Sequence, residues 1–508
     1  METLIISSRS YKLKDFSPLF NNRVKIRLAN SSKLKIKRSR DRLNKSIKQG
    51  DTIYGVNTGF GKLSDIQIEK ADQELLQLNL IRSHATGIGE PLSIGICRTI
   101  MVLKLLTYAK GYSGVRLDLV EKIIQFLNKD IVPYIPEKGS VGASGDLAPL
   151  AHLGLALIGE GFSFYKDKKM KTSTALHKAK IKAISLRAKE GISLINGTHV
   201  SSAIAISTLL NGDNLIKTAD IIGAISVENS LSSRKVFRSD VHELKMHKGQ
   251  RDSARNIYRI LSGSKIVGSH KNCGKVQDPY SFRCIPHIHG ACRDTYDSAK
   301  NIILNEVNSV SDNPLILSSG EVISSGHFHG EHLAQSLDNL SISFSELGAV
   351  SERRVYYLMK GVPGIVSPFV TIKPGLESGY MMAHVTASAL ASENKTLSHP
   401  ASIDSLPTSG GQEDLVSMAP WAGYKLIAIQ KNLTIILAIE LLVASAVNSL
   451  GFSKIKPARA TGTILNLMGK ICDFKKGDRV LKNEIDLITD KIIKKEILSK
   501  IQKILRLE

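Results

Sequence analysis

The run LTIILAIELLVASAVNSL, residues 433–450, is apolar on nearly every face of the helix that its spacing predicts. Such a helix must be buried on several sides, so the chain either builds a bundle around it or covers it at a subunit contact. Its most lipid-like part, Leu433 to Val447, is too short to cross a membrane and carries Glu440. Residues 198–228, 341–359 and the Ala- and Met-rich 380–395 extend the same helical texture. Before about residue 200, Gly-rich turns such as YGVNTGFG and EKGSVGASGD interrupt shorter apolar segments. The expected fold is therefore mainly α: an N-terminal domain over residues 1–200, then a long helical bundle domain over residues 201–508, with a surface C-terminal helix in the amphipathic stretch 473–507.

A chain of 508 residues, 42% hydrophobic and 23% charged, has ordinary globular usage and length for two to four domains. Its five cysteines (Cys97, Cys273, Cys284, Cys292, Cys472) form no C-x-x-C pair, which argues against a disulfide framework or zinc ribbon and for a reducing, cytoplasmic compartment. The opening METLIISSRSYKLKDF lacks the apolar stretch of a signal peptide, and no membrane partner is expected. The 69 basic and 46 acidic residues leave a net charge of +23, which would suit a polyanion. Aromatics are only 5% of the chain and hardly interleave with the basic segments, so those segments read as solvated helix faces and no nucleic-acid partner is expected.

The densest chemical signal is GSVGASGDLAPLAHLG, residues 139–154, where small residues crowd so closely that backbone geometry must be the purpose. Glycines on both sides of Ala143-Ser144 permit positive φ and close backbone approach. Asp146 is placed to cap the helix suggested by LAPLAHLGLALIGE, with Pro149 in its first turn. A phosphate loop fails on detail, because neither this segment nor YGVNTGFGK reads G-x-x-x-x-G-K-[ST].

This segment resembles the signature of the histidine and phenylalanine ammonia-lyase family, in which an internal Ala-Ser-Gly cyclises to 4-methylidene-imidazol-5-one. Further similar motifs follow in the family's order: YGVNTGFG, SHATGIGEPL, EGISLINGT, QDPYSFRC, NSVSDNPL and LASENKTLSHPASIDSLPTSGGQEDLVSM. The resemblance implies an ammonia-lyase, a carbon–nitrogen lyase whose prosthetic group forms autocatalytically from Ala143, Ser144 and Gly145 without an external cofactor or metal. It implies elimination of ammonia from L-histidine to trans-urocanate, the entry step of histidine degradation, by a homotetramer. The alternative is a tyrosine or phenylalanine ammonia-lyase, or an aminomutase, using the same electrophile.

The same resemblance assigns tasks. Tyr54 is the expected acid or base for the β-proton, although a phenol needs nearby positive charge or hydrogen bonds to serve near neutral pH. Asn196 and Tyr280 are expected to hold and polarise the prosthetic ring, with Gln277 beside them. Arg283 is the expected clamp for the substrate carboxylate. Phe328 is expected to pack on substrate or ring. His84 and Glu413 match positions at which the histidine-specific branch keeps polar partners for an imidazole, and a carboxylate there stabilises positive charge as ammonia leaves.

Some positions depart from the family's pattern: His287 and His327 replace usual amides, Gly410-Gly411 replaces Ala-Asn, and Leu415 replaces a common histidine. The resulting excess of imidazoles, His287, His289, His327, His329 and His332 with Glu331, would suit zinc or iron if the segments converged, but no H-E-x-x-H spacing supports it and no metal is expected. A basic, non-enzymatic nucleic-acid-binding homologue is the other rival.

Overall fold

A computed structural model of the chain describes residues 2–21, 24–270 and 275–508; Cys273 lies outside them. The chain forms two compact units: residues 1–207, 300–338 and 400–424 make the first, and residues 208–299, 339–399 and 425–508 the second. Helices dominate and strands are few and short, so the fold is mainly α.

The first unit packs its core on the helix Ile94–Ala109, IGICRTIMVLKLLTYA, which is buried along almost all its length. Ser93 Oγ accepts from the Ile96 N–H and so caps it. Small sheets lie around it: Thr3–Ile6 pairs in parallel with Lys25–Leu28, and Ile131–Pro133, Phe162–Tyr165 and Lys168–Lys171 form an antiparallel meander. The helix Leu147–Leu157 follows the Gly-rich segment and accommodates Pro149 in its first turn. Asp146 occupies its N-cap position but makes no cap to it. The carboxylate accepts instead from the N–H groups of Val200 and Ser201, at 2.8 Å each, and from Ser201 Oγ at 2.7 Å, and so caps the helix His199–Asn229. The sequence expectation named the wrong helix, because the orphan donors that Asp146 satisfies lie more than fifty residues away.

In the second unit the run 433–450 falls within the helix Ala419–Gly451 and, from Leu433 to Val447, is buried except at half-buried Ile435, which supports its reading as the centre of a bundle. By length and composition this helix could cross a membrane; most of its apolar window is buried inside the structure instead. Glu440 is fully buried, pairs with Arg354 through contacts of 2.5 and 2.8 Å, and accepts from Ser226 and Ser351. Arg354 in turn lies 3.4 Å from His289, which meets Asp220 at 2.9 Å. The bundle thus buries a network of paired charges, as a low-dielectric interior requires. The C-terminal stretch forms two helices, Lys482–Ile493 and Glu496–Gln502, with Ile488, Ile492, Ile497 and Ile501 buried on their inner sides.

Candidate active site

Residues 139–146 form a bent loop in which Gly142, Ser144 and Gly145 all have positive φ, of 82°, 52° and 81°. Serine in this region is strained, whereas glycine is not. Gly145 bridges to Gly197: the Gly197 N–H donates to the Ser144 carbonyl at 3.2 Å, and the Asp146 N–H donates to the Gly197 carbonyl at 2.9 Å. A Cβ on Gly145 would stand 2.3 Å from that Gly197 oxygen, so only glycine allows the approach. On the other side, the Met418 N–H donates to the Val141 carbonyl at 2.9 Å, and a Cβ on Gly142 would meet Ser417 Oγ at 2.3 Å.

The loop 408–418 therefore lies against the Ala-Ser-Gly turn and delivers Glu413 to it. Ser144 Oγ donates to Glu413 Oε1 at 2.6 Å. Glu413 Oε2 accepts from Thr408 Oγ1 at 2.8 Å and from Ser409 Oγ. The return of this loop uses positive φ at Ser409, Gly410 and Gly411, which accounts physically for the Gly-Gly pair at residues 410–411.

Tyr54 sits in a Gly-rich turn held by Gln77, whose Nε2 donates to the Gly55 carbonyl at 2.9 Å. Its ring meets Phe60 edge-on, and its hydroxyl accepts from the Gly61 N–H at 3.2 Å. Burial raises the Tyr54 phenol above the ordinary range, the Glu413 charge raises it further, and the Gly61 N–H opposes both. The charged group that bears on Tyr54 here is the Glu413 carboxylate, which disfavours the phenolate, whereas the Gly61 N–H favours it. Burial likewise lowers the His84 imidazole, against an upward pull from the Leu80 carbonyl, 2.9 Å from Nδ1, and from Glu413. Asn196 is buried, with Oδ1 lacking a hydrogen-bond partner. Phe328 is half-buried in the turn that precedes Gly330, itself packed against Ser417 and Thr198.

Tyr54, His84, Ala143, Ser144, Gly145, Asn196, Phe328 and Glu413 all belong to the first unit, and Glu413 is the group to which Ser144 bonds and whose charge reaches both Tyr54 and His84. Gln277, Tyr280 and Arg283 belong to the second unit. There Gln277 is exposed, Tyr280 is 69% exposed, and the Arg283 guanidinium lies 4.5 Å over the Tyr280 ring with its Nε unpartnered. Among the described residues no three histidine, cysteine or carboxylate side chains gather as a metal site. His289 belongs to the buried network of Asp220 and Arg354, His287 lies beside His242, and His329 Nε2 lies 3.2 Å from the Leu415 carbonyl.

Sequence reasoning passed over one group behind this turn. Lys104 is fully buried in the helix Ile94–Ala109, and its ammonium donates to the carbonyls of Ser193 at 2.7 Å and Asn196 at 2.6 Å. A lone lysine inside IMVLKLLTYA was the available signal, since a buried charge demands partners.

A family model for aromatic amino acid lyases matches residues 11–468. The chain is 42% identical over 492 residues to a histidine ammonia-lyase of Caldanaerobacter subterraneus subsp. tengcongensis, covering 96% of each chain. Among solved structures, a histidine ammonia-lyase from Trypanosoma cruzi superposes with a TM-score of 0.90 at 33% identity, covering 100% of this chain and 96% of that one. A tyrosine aminomutase from Streptomyces globisporus superposes with a TM-score of 0.93 at 30% identity, covering 100% of both chains. With its signature turn, its order of motifs and its whole length accounted for in this way, the chain belongs to the aromatic amino acid lyase family.

Proposed function

We propose that the protein eliminates ammonia non-oxidatively from L-histidine to give trans-urocanate, using a 4-methylidene-imidazol-5-one formed from Ala143, Ser144 and Gly145. The observation that carries this reading is the turn itself: a strained Ser144 between glycines, its hydroxyl 2.6 Å from the Glu413 carboxylate. The residues fit the group. Cyclisation joins the Gly145 nitrogen to the Ala143 carbonyl carbon, expels that carbonyl oxygen as one water with the two amide hydrogens, and removes the Ser144 hydroxyl and α-hydrogen as a second. Gly145 is free of Cβ crowding, and Glu413 is placed to assist loss of the hydroxyl.

When formed, the ring supplies an electrophilic methylidene carbon that makes the substrate amine a better leaving group. The rest is the work of the chain's own side chains. Glu413 and His84 offer polar partners to an imidazole, and the carboxylate stabilises positive charge on the substrate. Burial is the main cause that raises the Tyr54 phenol and the Glu413 charge adds to it; a cation bound beside Glu413 offsets that added part and favours use of the phenol as the base for the β-proton. Asn196 Oδ1, buried and unpartnered, is an acceptor for the substrate amine. Arg283, with Tyr280 and Gln277, is assigned to the substrate carboxylate and to the prosthetic ring.

The assembly proposed is a homotetramer. Ile342, Tyr356, Met382 and Val385, at 43%, 47%, 59% and 47% exposure, leave apolar surface on the helices Glu331–Leu358 and Met381–Leu397 that further subunits would cover. Free Cys97, Cys284, Cys292 and Cys472 support a reducing, cytoplasmic setting.

Incubation of the purified protein with histidine, phenylalanine and tyrosine separately, with products identified by mass and ultraviolet absorbance, tests the reading. Urocanate as the dominant product is expected. A β-amino acid, or preference for an aromatic substrate, overturns the assignment.

A further inference from the structure

We infer that Lys104 is a positioning residue for the prosthetic group, holding and polarising the Asn196–Gly197 peptide so that its N–H is aimed at the carbonyl oxygen of Ser144. This rests on the cyclisation proposed above.

The two ends of one peptide unit carry the argument. Lys104 Nζ donates to the Asn196 carbonyl at 2.6 Å, and the N–H of that same unit, on Gly197, donates to the Ser144 carbonyl at 3.2 Å. Donation to a peptide oxygen shifts electron density away from its nitrogen and strengthens the N–H as a donor, the cooperativity of hydrogen-bond chains in a low-dielectric interior. The second bond, to the Ser193 carbonyl at 2.7 Å, ties the same ammonium to the last turn of the helix Glu190–Ile195 and fixes the register of the segment that Gly145 pairs with.

The position of the acceptor gives this chain of bonds a purpose. In the cyclised turn the Ser144 carbonyl is the ring carbonyl, conjugated with the methylidene carbon. A donor aimed at its oxygen therefore makes that carbon more electrophilic, as preorganised N–H groups do at other sites of charge development.

The setting of Lys104 is that of a tuned group. It is fully buried and spends these two bonds on carbonyls, not on a carboxylate. Burial pushes its ammonium down to about 7, opposed by Asp312 and Asp146 and assisted by Lys189. Of the other groups that face it, Lys189 is paired with Asp312 at 3.1 Å, Tyr108 presents its ring at 5.8 Å, and His199 is itself lowered by burial and by Lys104.

The test uses the absorbance of the cyclised turn, read as a difference spectrum against Ser144→Ala, beside peptide mass and kinetics on histidine. Lys104→Met keeps the length of the side chain and removes its donors. It is expected either to leave a folded protein with a partly uncyclised turn, or to cyclise with the band displaced to shorter wavelength and kcat lowered on the order of tenfold at nearly unchanged KM. Lys104→Arg restores band and rate. If Lys104→Met does not fold, Lys104→Gln, which keeps one N–H for the Asn196 carbonyl, shows the same displacement at smaller size. A folded, fully cyclised Lys104→Met or Lys104→Gln protein with the wild-type band and kcat overturns the inference. A wild-type protein with no cyclised turn defeats the functional reading instead, and the wild-type mass distinguishes the two failures.

Discussion

Ser144 Oγ donates to Glu413 Oε1 across 2.6 Å, although 269 residues separate the two along the chain. That contact joins the turn that must lose a hydroxyl to the carboxyl group that can exchange a proton with it and return one as the hydroxyl leaves as water. On the proposed function the same carboxylate also meets the leaving ammonia and the imidazole. The proposed function thus gives one residue a part in formation of the group and in later use of it, and the two roles can be separated by experiment.

Formation is read directly by mass. The peptide containing Ala143, Ser144 and Gly145 is expected to be lighter by two waters in the active protein. Ser144→Ala removes the hydroxyl that the second water needs, so its peptide keeps the methyl side chain and activity falls nearly to zero. A full-mass wild-type peptide in active protein, or a native rate in Ser144→Ala, rules out the electrophile.

The close approach of Gly145 to Gly197 makes a second, steric prediction. An alanine Cβ at residue 145 would stand 2.3 Å from the Gly197 oxygen, at a φ of 81° that L side chains rarely adopt. Gly145→Ala is expected to leave the turn uncyclised by mass and to lower thermal stability by about 1–3 kcal/mol, the usual cost of a strained backbone. Full cyclisation at native stability would show that the approach is not required.

Much of this architecture is legible in the chain, and the misses have physical causes. Apolar periodicity marked the buried run 433–450, and the helix around it extends to Ala419–Gly451. The helix Glu331–Leu358 begins ten residues before the expected stretch, since Leu333, Leu337 and Leu340 already sit buried on its inner face within the polar EHLAQSLDNL. Strands of two to four residues, such as Leu315–Ile316 and Phe162–Tyr165, are too short to display alternation. Motif spacing pointed to the Ala-Ser-Gly turn and to Glu413, but no local rule states that Asp146 caps a helix starting at His199 or that Lys104 binds the Asn196 carbonyl. Those are long-range bonds, and their only trace in the sequence is a polar residue where an apolar one would pack.

The buried pair of Arg354 and Glu440 illustrates the same point and yields a stability prediction. Glu440→Gln leaves the Arg354 guanidinium, fully buried, with its countercharge gone. The expected loss is about 3–5 kcal/mol, whereas the double replacement Arg354→Met with Glu440→Leu recovers most of it, because two apolar groups leave no uncompensated charge. Thermal unfolding of the full-length protein at one scan rate compares the three. Equal destabilisation by the single and double replacements would mean that packing volume, not charge, governs this part of the bundle.

Glu413→Gln separates the electrostatic roles of the carboxylate. Turnover of histidine is expected to fall on the order of 10², the range for loss of one focused electrostatic group. The pH profile should move in an informative direction at the same time. Burial is the first cause of the raised Tyr54 phenol and the Glu413 charge adds to it, so replacing that charge by a neutral amide lowers the phenol from its wild-type position. If Tyr54 must be deprotonated to take the β-proton, kcat/KM rises with pH as the phenol ionises. The rising limb in Glu413→Gln then lies at lower pH than in the wild type, even as the plateau drops. A general folding defect lowers the plateau without moving the limb, and a change of rate-limiting step toward product release flattens it. A limb displaced to higher pH, or a variant that keeps the wild-type rate, would remove Glu413 from the place assigned to it beside Tyr54 and the substrate.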